Sequence, residues 1–241
     1  MSEPFLRVER VVKRFGGLTA VNDVSFDVRR AEIVSIIGPN GAGKTTLFNL
    51  LTGQLKPTSG DVRLDGAVIS AVPPDRRARL GLGRTFQIAK PLLTLTALEN
   101  AMVGAFMHHR RLADAEAKAH AMLREVGLDA RAGVRASELT LSERRRLEVA
   151  RALALEPTLI LLDEVMAGLN QTEVQDLIDL VRRLNDAGLT FLIIEHNLKV
   201  VRAFSKRVIV IDRGAKIAEG SAEEILATPA VVTAYLGRRK G

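Results

Sequence analysis

Between positions 38 and 46 the chain reads Gly38, Pro39, Asn40, Gly41, Ala42, Gly43, Lys44, Thr45, Thr46, directly behind the apolar run Ile33, Val34, Ser35, Ile36, Ile37. This is the spacing of a phosphate-binding loop, and chemistry explains the choice of residues. A loop that wraps a phosphate turns its backbone N–H groups inward, and glycine at 38, 41 and 43 keeps side chains out of the approach. Lys44 supplies a point charge for the β- and γ-phosphates, and Thr45 supplies a hydroxyl for Mg²⁺. A helix that begins here and runs through Leu47, Leu50 and Leu51 points its positive N-terminal end at the anion. Placement between an apolar strand and a helix separates this run from a chance glycine-rich turn. The loop implies that the chain holds a nucleotide's phosphates.

Further chemistry gathers at predicted strand ends. Leu159, Ile160, Leu161 and Leu162 lead into Asp163 and Glu164, which puts both acids at a strand's carboxyl edge, where α/β ligand sites form. There Asp163 reaches Mg²⁺ through water, and Glu164 polarises a water in line with the γ-phosphate. Taken alone, the pair reads equally well as acids that complement a helix N-terminus. A second strand, Phe191 to Ile194, ends at Glu195 and His196. Its imidazole is in place for the γ-phosphate or for the attacking water, whereas a lone histidine there reads as structural, so the assignment depends on its company. Gln87 follows Arg84, Thr85 and Phe86 at another strand end, where it coordinates Mg²⁺ or positions water. By itself it reads as a solvated loop glutamine.

The elements that must position these residues follow from periodicity. Strand-like patterning covers Leu6 to Phe15, and Val24, Phe26 and Val28 alternate with Ser25 and Asp27. Val62 and Leu64 alternate up to Asp65-Gly66, and Ala67, Val68 and Ile69 follow, which predicts an antiparallel hairpin beside a parallel core. From Pro91 to Glu156 the pattern is mainly helical and predicts an inserted helical subdomain. Val174, Leu177, Ile178, Val181 and Leu184 fall at helical spacing, and Val208 to Ile211 returns to strand. Arg213-Gly214 marks a turn before Ile217, and Ser221 caps a short helix containing Glu223 and Ile225. The expected fold class is α/β: a phosphate-loop NTPase core with an antiparallel β subdomain and an inserted α-helical subdomain.

Composition narrows the classes of function. The 241 residues, 47% hydrophobic, make one large domain or two small ones with a substantial core. No run approaches roughly 18 apolar residues, and Met1, Ser2, Glu3 and Pro4 lack the pattern of a secretory signal, so the expectation is a protein made and kept in the cytoplasm. The chain has no cysteine and four histidines, so disulfides, thiolate zinc sites and thiol catalysis are excluded. Any metal arrives with the nucleotide. The net charge of +7 rests on arginines such as Arg76, Arg77, Arg79, Arg110, Arg111, Arg144 to Arg146 and the tail Arg238 to Lys240. Such a balance fits nucleic acid, an anionic membrane surface or a solvated exterior. Aromatic residues at 4% argue against stacking on exposed bases.

The order is specific: phosphate loop, Gln87, a helix-start run at Leu139, Thr140, Leu141, Ser142 and Glu143, the acidic pair, then His196. In this order the chain resembles the ATP-binding subunit of an ABC transporter over nearly its whole length. The resemblance implies a single ABC ATPase domain over 1–241, with an ATP-binding core at 1–87 and 158–220, a helical subdomain at 88–157 and a C-terminal helical tail at 221–241. It implies ATP and Mg²⁺ as ligands, with Glu164, His196 and Gln87 in catalysis and Thr45, Gln87 and Asp163 toward the metal. Two such domains, identical or related, pair head to tail, and each buries an ATP between its own loop and the other's signature, where Thr140 and Ser142 lie. Phe15 falls where an aromatic ring stacks on adenine, although it also reads as a core phenylalanine.

More narrowly, five stretches are similar to the branched-chain amino acid and amide uptake group. They are Phe15-Gly16-Gly17-Leu18 with Ala20-Val21, Arg84 to Gln87, Asp163 to Leu169, Glu195 to Leu198, and Ala234-Tyr235-Leu236-Gly237. That likeness implies an importer at the cytoplasmic face of the inner or plasma membrane, with integral permease subunits and, indirectly, a substrate-binding protein. A lipid or glycolipid exporter's ATPase is an alternative. So is a soluble ABC-type ATPase acting on nucleic acid or ribosomes, but this compact chain lacks the fused domains or coiled-coil insertions such proteins carry. A plain phosphate-loop kinase leaves the Leu139 to Glu143 run and His196 unexplained. The signature departs from the usual Leu-Ser-Gly-Gly-Gln. Thr140 keeps a hydroxyl, Leu141 and Ser142 add side chains and Glu143 adds a negative charge, so a weakened signature is expected. Asn170 stands where aspartate is common.

Overall fold

The computed structural model describes residues 3–85, 91–228 and 231. Gln87, the stretch Ala234 to Gly237 and the basic tail Arg238 to Lys240 lie outside them. The chain begins with strands β1 (Leu6–Phe15), β2 (Leu18–Val28) and β3 (Ile33–Ile37), followed by helix α1 (Lys44–Leu51). Next come β4 (Ser59–Leu64), β5 (Ala67–Val68), α2 (Pro74–Arg79) and β6 (Leu82–Arg84). Helices α3 (Ala97–Ala105), α4 (Leu112–Glu125) and α5 (Leu141–Leu153) lead to β7 (Leu159–Asp163) and α6 (Gln171–Asp186). The last elements are β8 (Thr190–Ile194), α7 (Leu198–Phe204), β9 (Arg207–Asp212), β10 (Ala215–Gly220) and α8 (Ala222–Ala227). Two compact units result: Met1–Arg77 with Gly188–Gly241, and Ala78–Ala187. The helical stretch expected at 88–157 falls inside the second unit, which also takes β6, β7 and α6.

In the first unit β1 pairs antiparallel with both β2 and β4, and β5 extends the sheet from β4. Leu6 and Val8 are buried while Arg7 points outward, the alternation of a half-buried sheet. The register then shifts between Val8 and Val11, with Arg10 at φ 47°, so a bulge bends the strand and returns Val11 to the core. The Asp65-Gly66 turn has both residues at positive φ, 49° and 77°, the backbone of a tight hairpin between right-twisted strands.

The parallel sheet explains the apolar run before the phosphate loop. All five residues of β3 are buried, because it lies between β8 and β9 and pairs in parallel with each. Its one polar side chain, Ser35, shares a 2.5 Å hydrogen bond with the buried Ser205 hydroxyl, which satisfies both. β10 returns antiparallel to β9 through Arg213 and Gly214, again at positive φ. At the unit's end Arg77 is 1% exposed and donates to the carbonyls of Leu50 and Leu51, at the end of α1, and of Ser70 and Val72. Burial pushes its guanidinium down to about 10, so it stays charged at neutral pH and faces the negative end of the α1 dipole.

In the second unit β6 and β7 pair in parallel, and α6 buries Leu177, Ile178, Leu180, Val181 and Leu184 along one face. Helix α3 packs on α4 and α5 through buried small residues, Ala101, Ala105, Ala115 and Ala119. A Cβ at Gly104 would run into the carbonyl of Arg151, so glycine sets how closely α3 approaches α5. Capping boxes start α3 (Thr96 with Glu99), α5 (Thr140 with Glu143) and α6 (Asn170 with Glu173), and a fourth, Ser221 with Glu224, starts α8 in the first unit.

Candidate nucleotide and hydrolysis site

The first unit supplies the phosphate loop. Residues 38–43 leave the carboxyl end of β3 and enter α1 at Lys44. Gly38 has φ 154° and Gly43 φ 102°, and a Cβ on either would overlap a backbone carbonyl oxygen, that of Ile211 or of Ala20 respectively. Those glycines are therefore required by the walls behind the loop. The loop is tied to the same walls by hydrogen bonds, since Gly214 N–H donates to the Ala42 carbonyl at 2.8 Å and Asn22 N–H donates to the Gly214 carbonyl at 2.8 Å. Gly41, at φ 77°, has open space where its Cβ would be. Lys44 is 6% exposed, and its Nζ donates to the carbonyls of Gly38 at 2.7 Å and Pro39 at 3.1 Å. Its ammonium is thus held within the loop, beside the first turn of α1. Pro39, Asn40, Thr45 and Thr46 complete the stretch, with Asn40 and Thr45 exposed.

His196 belongs to the same unit and the same sheet edge. β8 pairs with β3 through Ile36 and Ile194, and Glu195 N–H still donates to the Ile36 carbonyl at 3.3 Å. The buried Glu195 carboxylate folds back to accept the N–H groups of His196 at 3.0 Å and Asn197 at 3.1 Å, which leaves the His196 side chain exposed. Phe15 closes β1 opposite Leu18 and is 45% exposed, so it is no core phenylalanine.

The second unit carries the acids and the signature. Asp163 ends β7, 1% exposed, and its Oδ2 accepts from Arg84 at 3.0 Å, with Arg84 itself 8% exposed at the end of β6. The two share a hydrogen bond between charged side chains in a buried setting. Glu164 follows at φ 49°, a left-handed conformation that only a short turn enforces, and Ala167 N–H donates to its carbonyl at 3.1 Å. Thr140 caps α5, and its Oγ1 accepts from Glu143 N–H at 3.2 Å. The Glu143 carboxylate accepts from Thr140 N–H at 2.9 Å and pairs with Arg131 at 3.0 Å. Partial burial raises the Glu143 carboxyl, but Thr140 N–H, the charge of Arg131 and the Thr140 hydroxyl together hold it below its ordinary value. Its negative charge is therefore matched inside the unit. Ser142 is buried and Leu141 is 45% exposed, and a Cβ on Gly168, in the loop after Glu164, would come within 3.0 Å of Leu141 Cδ2.

Two features of the site were not legible from spacing. Arg84 is separated from Asp163 by 79 residues, and only the adjacency of β6 and β7 joins them. The back wall formed by Ala20 and Gly214 has a faint sequence signal, the Arg213-Gly214 turn, but nothing that ties it to the phosphate loop.

A phosphate loop at a parallel strand's edge, an acid pair closing a second strand and a capped signature helix define a nucleotide-hydrolysing cassette. Residues 21–167 match the family described as ABC transporter, and the chain belongs to it. It is 42% identical to the high-affinity branched-chain amino acid transport ATP-binding protein LivG of Salmonella typhimurium, covering 98% of this chain and 99% of that one. BraF of Pseudomonas aeruginosa, a protein of the same description, is also 42% identical with the same coverage. Among solved structures, the ADP conformation of an ATP-binding cassette of an ABC transporter superposes with a TM-score of 0.90 at 33% identity, over 98% of this chain and all of that one. A dimeric cassette in a post-hydrolysis state with ADP and Pi gives 0.82 at 27% identity, over 90% of this chain and 98% of that one. The chain is an ATPase of this family and binds nucleotide.

Proposed function

We propose that this chain is the ATP-hydrolysing motor of an importer for branched-chain amino acids or related amides, working as one of a pair of ATPase subunits beneath an integral permease. The observation that carries the reading is likeness over the full length to two transport ATP-binding proteins of that description. The phosphate loop, with Lys44, holds the triphosphate, and Phe15 takes the adenine. Hard oxygen donors at Thr45, Gln87 and Asp163 suit Mg²⁺, which would neutralise charge on the β- and γ-phosphates. Glu164 accepts the proton of the attacking water, and His196 faces the γ-phosphate or that water from the edge of β8. Thr140 and Ser142 belong to the signature that meets the paired subunit's nucleotide.

Partners follow from what the chain presents. No helix among the described residues is long and apolar enough to cross a membrane, so transport requires a separate permease at whose cytoplasmic side this subunit binds. The second unit offers a groove of about 330 Å³ lined in part by Arg84, Thr85, Val103, Met107 and Leu155, with Leu92, Leu93 and Phe106 exposed nearby in sequence. A substrate-binding protein enters only through the permease. The decisive experiment is purification of the chain from gently solubilised native membranes, with mass spectrometry of what accompanies it. Recovery of an integral permease and loss of leucine uptake on deletion are expected. Recovery of ribosomal proteins or nucleic acid alone would overturn the reading.

A further inference from the structure

The tip of the β1–β2 hairpin carries a half-exposed aromatic ring. Phe15 pairs across the strands with Leu18, which is 66% exposed, and around the Cβ positions of the intervening Gly16 and Gly17 nothing lies within 4 Å. A ring in such a place turns easily about its side-chain torsions. Lys13, two residues earlier on the same strand, reaches it. The Lys13 Nζ lies 5.1 Å from the ring centroid and donates to the Lys56 carbonyl at 2.8 Å. The strand is anchored to the same segment by Arg14 N–H donating to Thr58 Oγ1 at 3.0 Å and Thr58 N–H donating to the Val12 carbonyl at 2.7 Å. The ammonium is thus held in place by its own carbonyl partner, over a ring that is 45% exposed.

We propose that Lys13 is a positioning residue that sets the Phe15 ring for the base of a bound nucleotide, so that it governs affinity through adenine and not through phosphate. A cation fixed over one face of a ring restrains its tilt and leaves the opposite face for a second planar partner. The proposal rests on Phe15 as the adenine platform.

The test titrates the full-length chain with ATP and, separately, with inorganic tripolyphosphate. Lys13→Met is expected to weaken ATP about two- to five-fold, the range of an exposed cation–π contact, and to leave tripolyphosphate affinity as it was. Lys13→Arg restores ATP affinity, because a guanidinium also stacks on a ring. Adding Lys13→Met to Phe15→Ala produces no further loss, because the lysine acts through the ring. Unchanged ATP affinity in Lys13→Met would overturn the proposal alone, as would a parallel loss for tripolyphosphate or an additive loss in the double variant. Unchanged ATP affinity in Phe15→Ala would instead remove the platform reading, and the proposal with it.

Discussion

Glu164 occupies a backbone conformation, φ 49°, that costs an ordinary residue about 1–2 kcal/mol. The residue directly follows the end of β7, next to an Asp163 that is buried and paired with Arg84. Two substitutions separate chemistry from strain. Glu164→Gln keeps the shape and removes the base, so turnover falls by at least about 100-fold while nucleotide binding persists. Glu164→Gly also stops turnover, but glycine accepts positive φ, and the folded state gains up to about 1 kcal/mol over the glutamine variant. Phosphate release and urea unfolding measure the two effects. A glutamine variant that turns over at the original rate would remove Glu164 from its role.

At the scale of elements, helix α5 shows how a departure from the usual signature is accommodated. Glu143 does not face outward as a bare charge, because it closes the capping box with Thr140 and pairs with Arg131. What remains different is the bulk of Leu141 and Ser142. The triple change Leu141→Gly, Ser142→Gly, Glu143→Gln should therefore raise dimerisation and turnover. It should also lower stability by about 1–2 kcal/mol, from two glycines in the first turn. Sedimentation with ATP and phosphate release check the first expectation, and thermal unfolding the second; unchanged dimerisation and turnover would refute it.

The turn after α4 holds a carboxylate whose charge depends on its neighbours. Asp129 lies 2.7 Å from His120 Nδ1 and 3.6 Å from Arg124. The hydrogen bond to His120, with the charges of His120 and Arg124, holds its carboxyl below the ordinary value against a smaller effect of desolvation. A depressed carboxylate contributes stability above its unfolded value and loses it as pH falls through the folded one. Asp129→Asn should then be less stable at pH 7 and converge with the parent as pH falls through that lowered folded value. Melting curves across that range read the difference, and parallel curves would deny Asp129 the role.

These elements also show what a sequence carries. The period-two strands, the turns at Asp65-Gly66 and Arg213-Gly214 and the Ser221 cap were legible because each is a local pattern, enforced within a few residues. The length of β2, which runs back to Leu18, was not, because pairing with β1 extends it through Thr19 and Asn22, where alternation is weak. The Arg84–Asp163 pair and the Ile211 and Ala20 walls are contacts between distant stretches, and no spacing announces them.

For the whole molecule, Arg77 is the test of how the first unit is closed. Its charge answers four carbonyls, two of them at the end of α1 opposite the glycine-rich loop. Arg77→Met should cost about 3 kcal/mol or more, because carbonyls that lose a buried cation are left without a donor. Chemical denaturation measures this, and a loss under about 1 kcal/mol would show that water replaces the guanidinium. The order of synthesis gives β3 a further consequence. Its neighbours β8 and β9 are encoded roughly 150 residues later, after the entire second unit. At roughly 5–20 residues per second, both edges of a strand that is apolar but for Ser35 stay open on the ribosome for about 8–30 s, before the loop that follows it has a sheet to stand on.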